Sequence, residues 1–259
     1  MKHGDFTELA KYYVDRPGYS LDVLKVIKNN VMQESGKRKI TVADVGAGTG
    51  KLTENLVLLG LNGYAVEPND AMRMEGIRLS VDCESFKWLK GTAEMTGLPD
   101  QCVEWVLMGS SFHWTDASEA MKEFYRILKP GGFFTAIWNP RNIKTSKLHM
   151  NIEEIIYNEV PDMKRVSSGL TVTTEEMIEK MCGTGMFENI VYVEAPHSEV
   201  MSKERYLNIW RSVNDIRVQA GEEGFQKIMK KIEDRIKGME EIKVPYCSRS
   251  WTVQAKGKI

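Results

Sequence analysis

Apolar runs and amphipathic segments alternate along the middle of the chain. Five short apolar runs predict strands at residues 39–46, 63–68, 85–91, 102–109 and 132–138. Segments in which apolar residues recur at helical spacing predict helices at about 50–59, 69–79 and 117–129. Short connections between alternating strands and helices favour a parallel, doubly wound α/β sheet with helices on both faces. We place this Rossmann-like core at residues 39–142.

The regions on either side of this core have a mostly helical pattern. Residues 6–33 predict a helix that is split at Asp15–Tyr19, and residues 1–38 are expected to form a helical lid. Later in the chain, helices are predicted at 147–160, 173–182 and 202–238, and strands six and seven at 188–196 and 248–256. We therefore expect a helical cap segment at 143–187, and two closing strands within 188–259 that carry a helical cap insertion at about 197–245. The lid and the cap would cover the carboxyl edge of a seven-stranded sheet.

Composition narrows the class of protein. The net charge is −1 over 259 residues, which gives no electrostatic signature of a nucleic-acid or membrane-surface partner. No stretch is apolar enough to cross a bilayer, and the N-terminus lacks the apolar core of a signal peptide, so a cytoplasmic protein is expected. The cysteines (83, 102, 182 and 247) and histidines (3, 113, 149 and 197) are scattered, and we expect reduced thiols and no metal site.

The most specific pattern is a glycine-rich turn that joins the first strand to the first core helix. Gly46, Gly48 and Gly50 lie in VADVGAGTGKLT, where glycine permits positive φ and close approach of a ligand to the backbone. The turn leads into a helix N-terminus, which favours anionic ligand groups. Glu67 ends the second strand, where an acid can accept hydrogen bonds from ribose hydroxyls. Together these features indicate a nucleoside-binding site.

The spacing of the glycines narrows the choice of nucleoside. It is G-x-G-x-G, whereas the dinucleotide fingerprint is G-x-G-x-x-G. Asp44, two residues before Gly46, would repel a pyrophosphate and would suit a ligand with an amino group. An amino acid attached to a nucleoside is S-adenosylmethionine, which we take as the expected cofactor.

Residues 40–140 resemble the class I S-adenosylmethionine-dependent methyltransferases of the methyltransferase type 11 family. VADVGAGTGKLT resembles their first motif, KGTAEMTGLPD (90–100) resembles the segment that lines the adenine, and YRILKPGG resembles the turn before their fifth strand. YVDRPGY, SSFHWTD and IWNPRN together resemble a small-molecule subgroup of that family. The resemblance implies methyl transfer to an oxygen or nitrogen of a small metabolite or saccharide.

The resemblance also implies which residues contact the cofactor. The glycine turn would surround the methionine part, with Asp44 nearby, and Tyr13 and Arg16 would close over its carboxylate. Glu67 would bind the ribose, and residues beyond it and at 92–94 would lie beside ribose and adenine. The full set expected to bind the cofactor is Tyr13, Arg16, Asp44, Gly46, Ala47, Gly48, Gly50, Glu67, Pro68, Asn69, Met72, Thr92, Ala93, Glu94, Gly109 and Ser110.

A second group of residues is expected to form the acceptor pocket, because ligands of such sheets lie beyond the carboxyl ends of the strands. His113, which follows strand four, has two open roles: a general base, for which its ordinary pKa suits it, or a pocket wall that excludes water. Arg141 either holds an acidic substrate or makes a surface salt bridge. The full set is Tyr19, Phe112, His113, Trp114, Trp138, Asn139 and Arg141. No metal is required, since a sulfonium is already an activated electrophile.

Other functions remain open from the sequence. A non-catalytic protein that binds S-adenosylmethionine is the main alternative, and a nicotinamide oxidoreductase or a nucleic-acid methyltransferase is less favoured. The expected partner is a small-molecule methyl acceptor, with no nucleic acid and no membrane, for a monomer or homodimer.

Overall fold

The computed structural model describes residues 10–80, 84–164 and 169–257. One seven-stranded sheet runs through it in the order β3-β2-β1-β4-β5-β7-β6. Strands β1 to β5 pair in parallel, and β7 pairs antiparallel with both β5 and β6. The strands are β1 Thr41–Val45, β2 Asn62–Val66, β3 Phe86–Leu89, β4 Val103–Gly109, β5 Leu128–Trp138, β6 Phe187–Ser202 and β7 Glu241–Ala255. The predicted fold class is confirmed.

The helices follow the predicted pattern in most places. They are α1 Ala10–Tyr13, α2 Leu21–Ser35, α3 Lys51–Leu58, α4 Asp70–Leu79, α5 Ala117–Ile127, α6 Lys147–Glu159, α7 Thr174–Cys182, α8 Lys203–Arg211 and α9 Asn214–Arg235. Local sequence explains several of their starts: Ser20, Asn69 and Asp116 each cap the helix that follows by accepting a backbone N–H bond. His3, Cys83 and the predicted helical residues 6–9 lie outside the described ranges.

The central parallel strands β1, β4 and β5 are largely buried on both faces, which explains their near-continuous apolar sequences. In β4, for example, every residue from Val103 to Met108 is buried. One apolar core lies between the sheet and α5 and α7, and a second lies between the sheet and α2 and α3. Two layers of helices therefore hold the sheet so that the carboxyl ends of β1, β2, β4 and β5 lie along one edge.

Strands β6 and β7 are longer than the sequence predicts. They pair from Phe187 and Ala255 out to Ser202 and Glu241, whereas the predicted strands end at Pro196 and begin at Ser248. Pro196 and Pro245 look like strand breaks, because proline cannot donate to a sheet. In the structure, Pro196 lies in the edge strand β6, and the Pro245 carbonyl accepts a hydrogen bond from Asn142 N–H.

The long hairpin carries a cap with its own apolar core. That core combines side chains of α6, α8 and α9 with the outer part of β7, and Tyr206, Trp210 and Tyr246 are buried within it. The predicted helical stretch 202–238 is divided between α8 and α9, and Gly221 interrupts α9 with a φ of 68°. No helix in the described part of the chain has the length and apolar character of a membrane span.

The segment between α1 and α2 is bonded directly to the cap, although the two are far apart in sequence. Arg16 donates to the hydroxyl and the carbonyl of Ser212 at 2.9 and 3.0 Å. Arg205 Nε donates to the Asp15 carbonyl at 3.0 Å, and Asn208 Nδ2 donates to the Asp15 carboxylate at 2.7 Å. Four side-chain hydrogen bonds therefore join the N-terminal segment to α8 and the residue after it.

Candidate functional site

The glycine turn between β1 and α3 has the backbone geometry that its sequence predicts. Gly46, Gly48 and Gly50 have φ values of 69°, 59° and 90°. A Cβ at Gly46 would lie 2.7 Å from Ser111 Oγ and 2.9 Å from Ser111 Cβ, so a side chain there is excluded twice, by conformation and by space. The turn is tied to β2, because the N–H groups of Gly46 and Ala47 both donate to the Val66 carbonyl.

Glu67, at the end of β2, is held in place by this same turn. One carboxylate oxygen accepts from Gly48 N–H at 2.9 Å, and the other accepts from Asn69 N–H at 2.8 Å. Burial raises the pKa of Glu67, and the two backbone N–H groups act in the opposite direction. Each oxygen keeps a further lone-pair site. Glu67 is thus fixed in orientation and still able to accept hydrogen bonds from a ligand.

Asp44 lies in the middle of β1, fully buried beneath the turn. Its Oδ2 accepts from Thr53 Oγ1 at 2.6 Å, and its Oδ1 has no hydrogen-bond partner within the described ranges. Burial raises its pKa to about 7, and the nearby Glu67 carboxylate adds to that rise. A cationic ligand group beside Asp44 would favour the ionised form and would satisfy Oδ1.

Asp44 should make the stability of the ligand-free protein depend on pH. Because the folded-state pKa of about 7 exceeds the ordinary value of 3.8, the folded protein keeps a proton that the unfolded chain releases. The free energy of unfolding should therefore fall as pH rises from about 4 to about 7. Asp44→Asn removes the titrating group, so its free energy of unfolding in urea should not fall over this pH range. Between pH 4 and pH 8 the variant should therefore gain up to about 4 kcal/mol relative to the wild type. The exposed control Asp22→Asn should show the same pH dependence as the wild type. If the free energy of unfolding of Asp44→Asn changed with pH as that of the wild type does, the raised pKa of Asp44 would be contradicted.

The residues predicted to lie beside ribose and adenine form a rim next to Glu67. Asn69 caps α4 by accepting from Met72 N–H at 3.1 Å, and the Met72 methyl lies 3.4 Å from where a Cβ of Gly48 would be. Farther along, Ala93 is buried, and Glu94 accepts a hydrogen bond from Asp116 N–H at 2.9 Å. The remaining members of this rim are Pro68, after Glu67, and Thr92, whose hydroxyl accepts from Met95 N–H.

Strand β4 ends against the N-terminal segment. The Tyr19 hydroxyl donates to Ser110 Oγ at 3.0 Å and lies 2.6 Å from where a Cβ of Gly109 would be. Ser110 has a φ of 54°, an uncommon conformation for a residue with a side chain. Burial raises the pKa of Tyr19 well above its ordinary range, so its hydroxyl stays protonated. The structure thus brings Tyr19, Gly109 and Ser110 together.

His113 lies in a single 3₁₀ turn, Phe112–Trp114, directly after β4. Its Nδ1 accepts from Trp138 Nε1 at 3.3 Å, so the neutral ring carries its proton on Nε2. Burial lowers the pKa of His113 to about 4, and Lys180 lowers it further. Nε2 is buried and has no hydrogen-bond partner in the part of the chain that the structure describes. His113 therefore offers one buried N–H group and no available lone pair.

The aromatic neighbours of His113 have different environments. Phe112 is buried against Phe134, whereas Trp114 is 43% exposed and tilted against the His113 ring at a centroid distance of 4.7 Å. Trp138 is buried at the end of β5, and Gly169 packs on it so closely that a Cβ would lie 2.5 Å away. Trp114 and Trp138 therefore both lie against the His113 ring, with centroid distances of 4.7 and 6.2 Å.

Two polar residues after β5 have structural partners. The Asn139 amide donates to the Gly18 carbonyl at 2.8 Å, and its Oδ1 contacts His197 Nε2 at 2.8 Å, so it anchors the N-terminal segment. The Arg141 guanidinium stacks on the Trp210 ring at 3.9 Å. Arg16 stacks on Tyr13 at 3.8 Å while it bonds to Ser212.

Some residues that shape this region carry no motif in the sequence. Asn55 accepts from Tyr19 N–H at 2.8 Å, and Ser248 accepts from Ser20 N–H at 2.8 Å. In the cap, Tyr206 and His149 lie near Arg141, which influences the pKa of both side chains. In the sequence, Asn55 is distinguished only as a polar residue on the apolar face of an amphipathic helix.

Known proteins resemble this chain most clearly in the core. Residues 43–136 match the family model described as a methyltransferase domain. An uncharacterized methyltransferase of Mycobacterium tuberculosis is 42% identical over 101 residues, which are 39% of this chain and 40% of that protein. An uncharacterized methyltransferase of Schizosaccharomyces pombe is 27% identical over 83% of this chain and 82% of its own length. The match to the mycobacterial relatives thus spans less than half of their length.

Solved structures show the same fold over nearly the whole chain. An Anaeromyxobacter dehalogenans protein assigned as a type II methyltransferase has a TM-score of 0.64 and covers 94% of this chain and 99% of its own, at 16% identity. The Bacillus subtilis YcgJ protein has a TM-score of 0.51 and covers 92% of this chain at 14% identity. At these identities the similarity establishes the fold alone.

Proposed function

We propose that the chain is a class I S-adenosylmethionine-dependent methyltransferase and that it transfers a methyl group to an oxygen or nitrogen of a small molecule. The observation that carries this proposal is the arrangement at the carboxyl edge of β1 and β2. A turn with glycine at residues 46, 48 and 50 adjoins an oriented carboxylate at Glu67 and a buried carboxylate at Asp44 that lacks one partner within the described ranges.

The residues present fit the expected cofactor. Gly46, Gly48 and Gly50 give the turn the positive-φ backbone expected beside the methionine part, and Asp44 Oδ1 would accept from its ammonium group. Glu67 has lone pairs left for two ribose hydroxyls, with Asn69 and Met72 beyond it. When bound, S-adenosylmethionine supplies an electrophilic methyl group on a positively charged sulfur. The chain's own part is to bind this group, to align the acceptor and to exclude water.

We assign His113 the role of a pocket wall that also donates a hydrogen bond from Nε2. Its lone pair at Nδ1 already accepts from Trp138, and its low pKa keeps the ring neutral but makes it a weak base. A buried N–H without a partner is costly, so an acceptor oxygen in the pocket would stabilise it. This interpretation favours acceptors that need no base, such as a carboxylate, or acceptors whose proton is taken by a group other than His113.

The role of His113 can be tested by comparing pH profiles. We expect His113→Gln, which keeps an N–H donor, to lower kcat/KM about tenfold and His113→Ala about 100-fold, as one hydrogen bond and the enclosure are lost. At saturating cofactor, the ratio of wild-type to His113→Gln rates should stay constant from pH 5.5 to 8.5, because a group with a pKa of about 4 does not titrate there. A ratio that rises with pH through 6–7 would show a general base instead.

The proposed function is tested by binding and turnover together. Calorimetry should show that the protein binds S-adenosylmethionine and S-adenosylhomocysteine, and does not bind NADH. A panel of small acids, alcohols and amines should then include an acceptor that gains a methyl group while S-adenosylhomocysteine forms. Binding without any methylated product would favour a non-catalytic binding protein, and tighter binding of NADH would refute the proposal.

A further inference from the structure

Arg141 occupies an unusual position where the end of β5 meets the cap. Its guanidinium lies over the Trp210 ring at 3.9 Å, and its backbone forms an antiparallel bridge with Tyr246. Its Nε is buried without a hydrogen-bond partner within the described ranges. Arg141 takes part in none of the ion pairs among the described residues, so the surface salt bridge that is one expectation from the sequence is not formed there. A partly buried cation without an anion is unfavourable.

Several other polar groups near Arg141 also lack partners within the described ranges. They are the hydroxyls of Tyr206 and Tyr246, Nε1 of Trp210 and Nε2 of His149. The Tyr246 hydroxyl faces the Arg141 guanidinium and the Tyr206 hydroxyl faces the Trp210 indole, but neither pair has the geometry of a hydrogen bond. All four residues are buried, with at most 2% of each exposed. Burial raises the pKa of both tyrosines and lowers that of His149, and the charge of Arg141 acts to lower all three, which places these side chains around one guanidinium.

The chemistry of this cluster indicates the kind of group that it would bind. The guanidinium, two phenols and an indole all offer hydrogen-bond donors, and indole and guanidinium have no acceptor at all. Buried donors of this kind are normally satisfied by an oxygen ligand. The planar fork of arginine matches a carboxylate with two oxygens. His149 is neutral because burial lowers its pKa to about 4, so Arg141 supplies the positive charge among these side chains. The carboxylates of Glu153 and Glu199 are close enough to act on the pKa of Tyr206 and Tyr246, which favours a monoanion over a dianion.

We propose that Arg141, with Tyr206, Tyr246 and Trp210, forms an anchor for the carboxylate of the methyl acceptor, which is therefore a small carboxylic acid. This inference rests on the proposed methyl transfer. Arg141 follows Trp138 by three residues, and Trp138 bonds to His113, so the end of β5 links the expected acceptor wall to this cluster along the chain. The anchored molecule would present another of its groups to the cofactor.

The test compares matched acceptors and matched variants in the full-length protein. The acceptors are C3–C8 mono- and dicarboxylic and hydroxycarboxylic acids, each paired with its carboxamide. The variants are Arg141→Gln, Arg141→Lys, which keeps charge without the planar fork, and Tyr246→Phe, which removes one hydroxyl. Lys144→Gln, an exposed cation in the following turn, is the control. Methyl transfer is measured as S-adenosylhomocysteine formed, and acid binding by saturation-transfer NMR in the presence of S-adenosylhomocysteine.

We expect acids to be bound and methylated and their carboxamides to be neither. Arg141→Gln should raise the KM for the acid at least tenfold, Arg141→Lys and Tyr246→Phe should raise it less, and Lys144→Gln should leave it unchanged. The affinity for S-adenosylhomocysteine should change less than twofold in every variant, which shows that the site is folded.

Three outcomes would overturn the anchor. They are equal use of carboxamides, an unchanged KM in Arg141→Gln, and no binding of any acid to the wild type. A tenfold loss of S-adenosylhomocysteine affinity in Arg141→Gln would instead assign the cluster to the carboxylate of the cofactor, which also refutes the proposal. If acids bind through Arg141 but no methyl is transferred, the anchor stands and the proposed catalytic function fails.

Discussion

Glu67→Ala is expected to weaken the affinity for S-adenosylmethionine about 100-fold, or about 3 kcal/mol, since hydrogen bonds that involve a charged group contribute about 1.5–3 kcal/mol each. Two effects combine. The carboxylate that would accept the ribose hydroxyls is removed, and the N–H groups of Gly48 and Asn69 lose the acceptor that orients them. Calorimetric titration with S-adenosylmethionine measures the change directly.

Two further variants separate these effects from a loss of folding. Glu67→Gln keeps the shape and one acceptor oxygen, so its affinity should fall by a smaller factor. Glu54→Ala removes an exposed glutamate of α3 that pairs with Lys51 and should leave the affinity unchanged. Normal cofactor binding by Glu67→Ala would show that the nucleoside does not lie at the end of β2, and the proposed function would then lose its main support.

Gly46→Ala is expected to be the most damaging small substitution in the glycine turn. The residue would keep a φ of 69°, which costs a residue with a side chain about 1–2 kcal/mol, and its Cβ would press on Ser111 at 2.7–2.9 Å. Overpacking of this kind adds about 1–3 kcal/mol. We expect a loss of about 3 kcal/mol in the free energy of unfolding measured by urea. Cofactor affinity should fall as well, because Ser111 or the turn must move.

Gly60→Ala is a matched control for that substitution. Gly60 has a φ of 71°, but a Cβ there would meet no atom within 4 Å. It should therefore show the conformational cost alone, about 1–2 kcal/mol, with normal cofactor binding. If both variants lose the same stability and both bind the cofactor, the close approach of the turn to Ser111 has no functional meaning.

The α/β core could be predicted from the sequence because its central strands, β1, β4 and β5, are largely buried on both faces. The apolar runs at β1 and β4 have no solvent-facing residues to interrupt them, and short turns limit the possible topologies. The hairpin of β6 and β7 was harder. Its edge strand β6 alternates between exposed and partly buried residues, and prolines occur at positions where β6 and β7 remain paired. The local sequence therefore predicts strand ends at places where the folded protein continues both strands.

In the candidate site, too, some residues could be predicted from the sequence and others could not. Gly46, Asp44 and Glu67 lie within 24 residues and carry a spacing that only a strand-turn-helix unit explains. Their use in cofactor binding stays a prediction, as do the roles of His113 and the lid. The cluster around Arg141 joins α6, α8 and β7, and its members show no common motif. What distinguishes them is the lack of hydrogen-bond partners, which depends on packing and cannot be read from sequence.

The hydrogen bonds between the N-terminal segment and α8 have a consequence for building chimeras. Asp15 and Arg16 bond to side chains and backbone nearly 200 positions later, so the segment between α1 and α2 and the cap are joined directly, although the core separates them in sequence. A graft of a relative's cap onto this core would leave Asp15 and Arg16 facing foreign residues. Exchange of substrate preference between relatives should therefore require both pieces to be transplanted together.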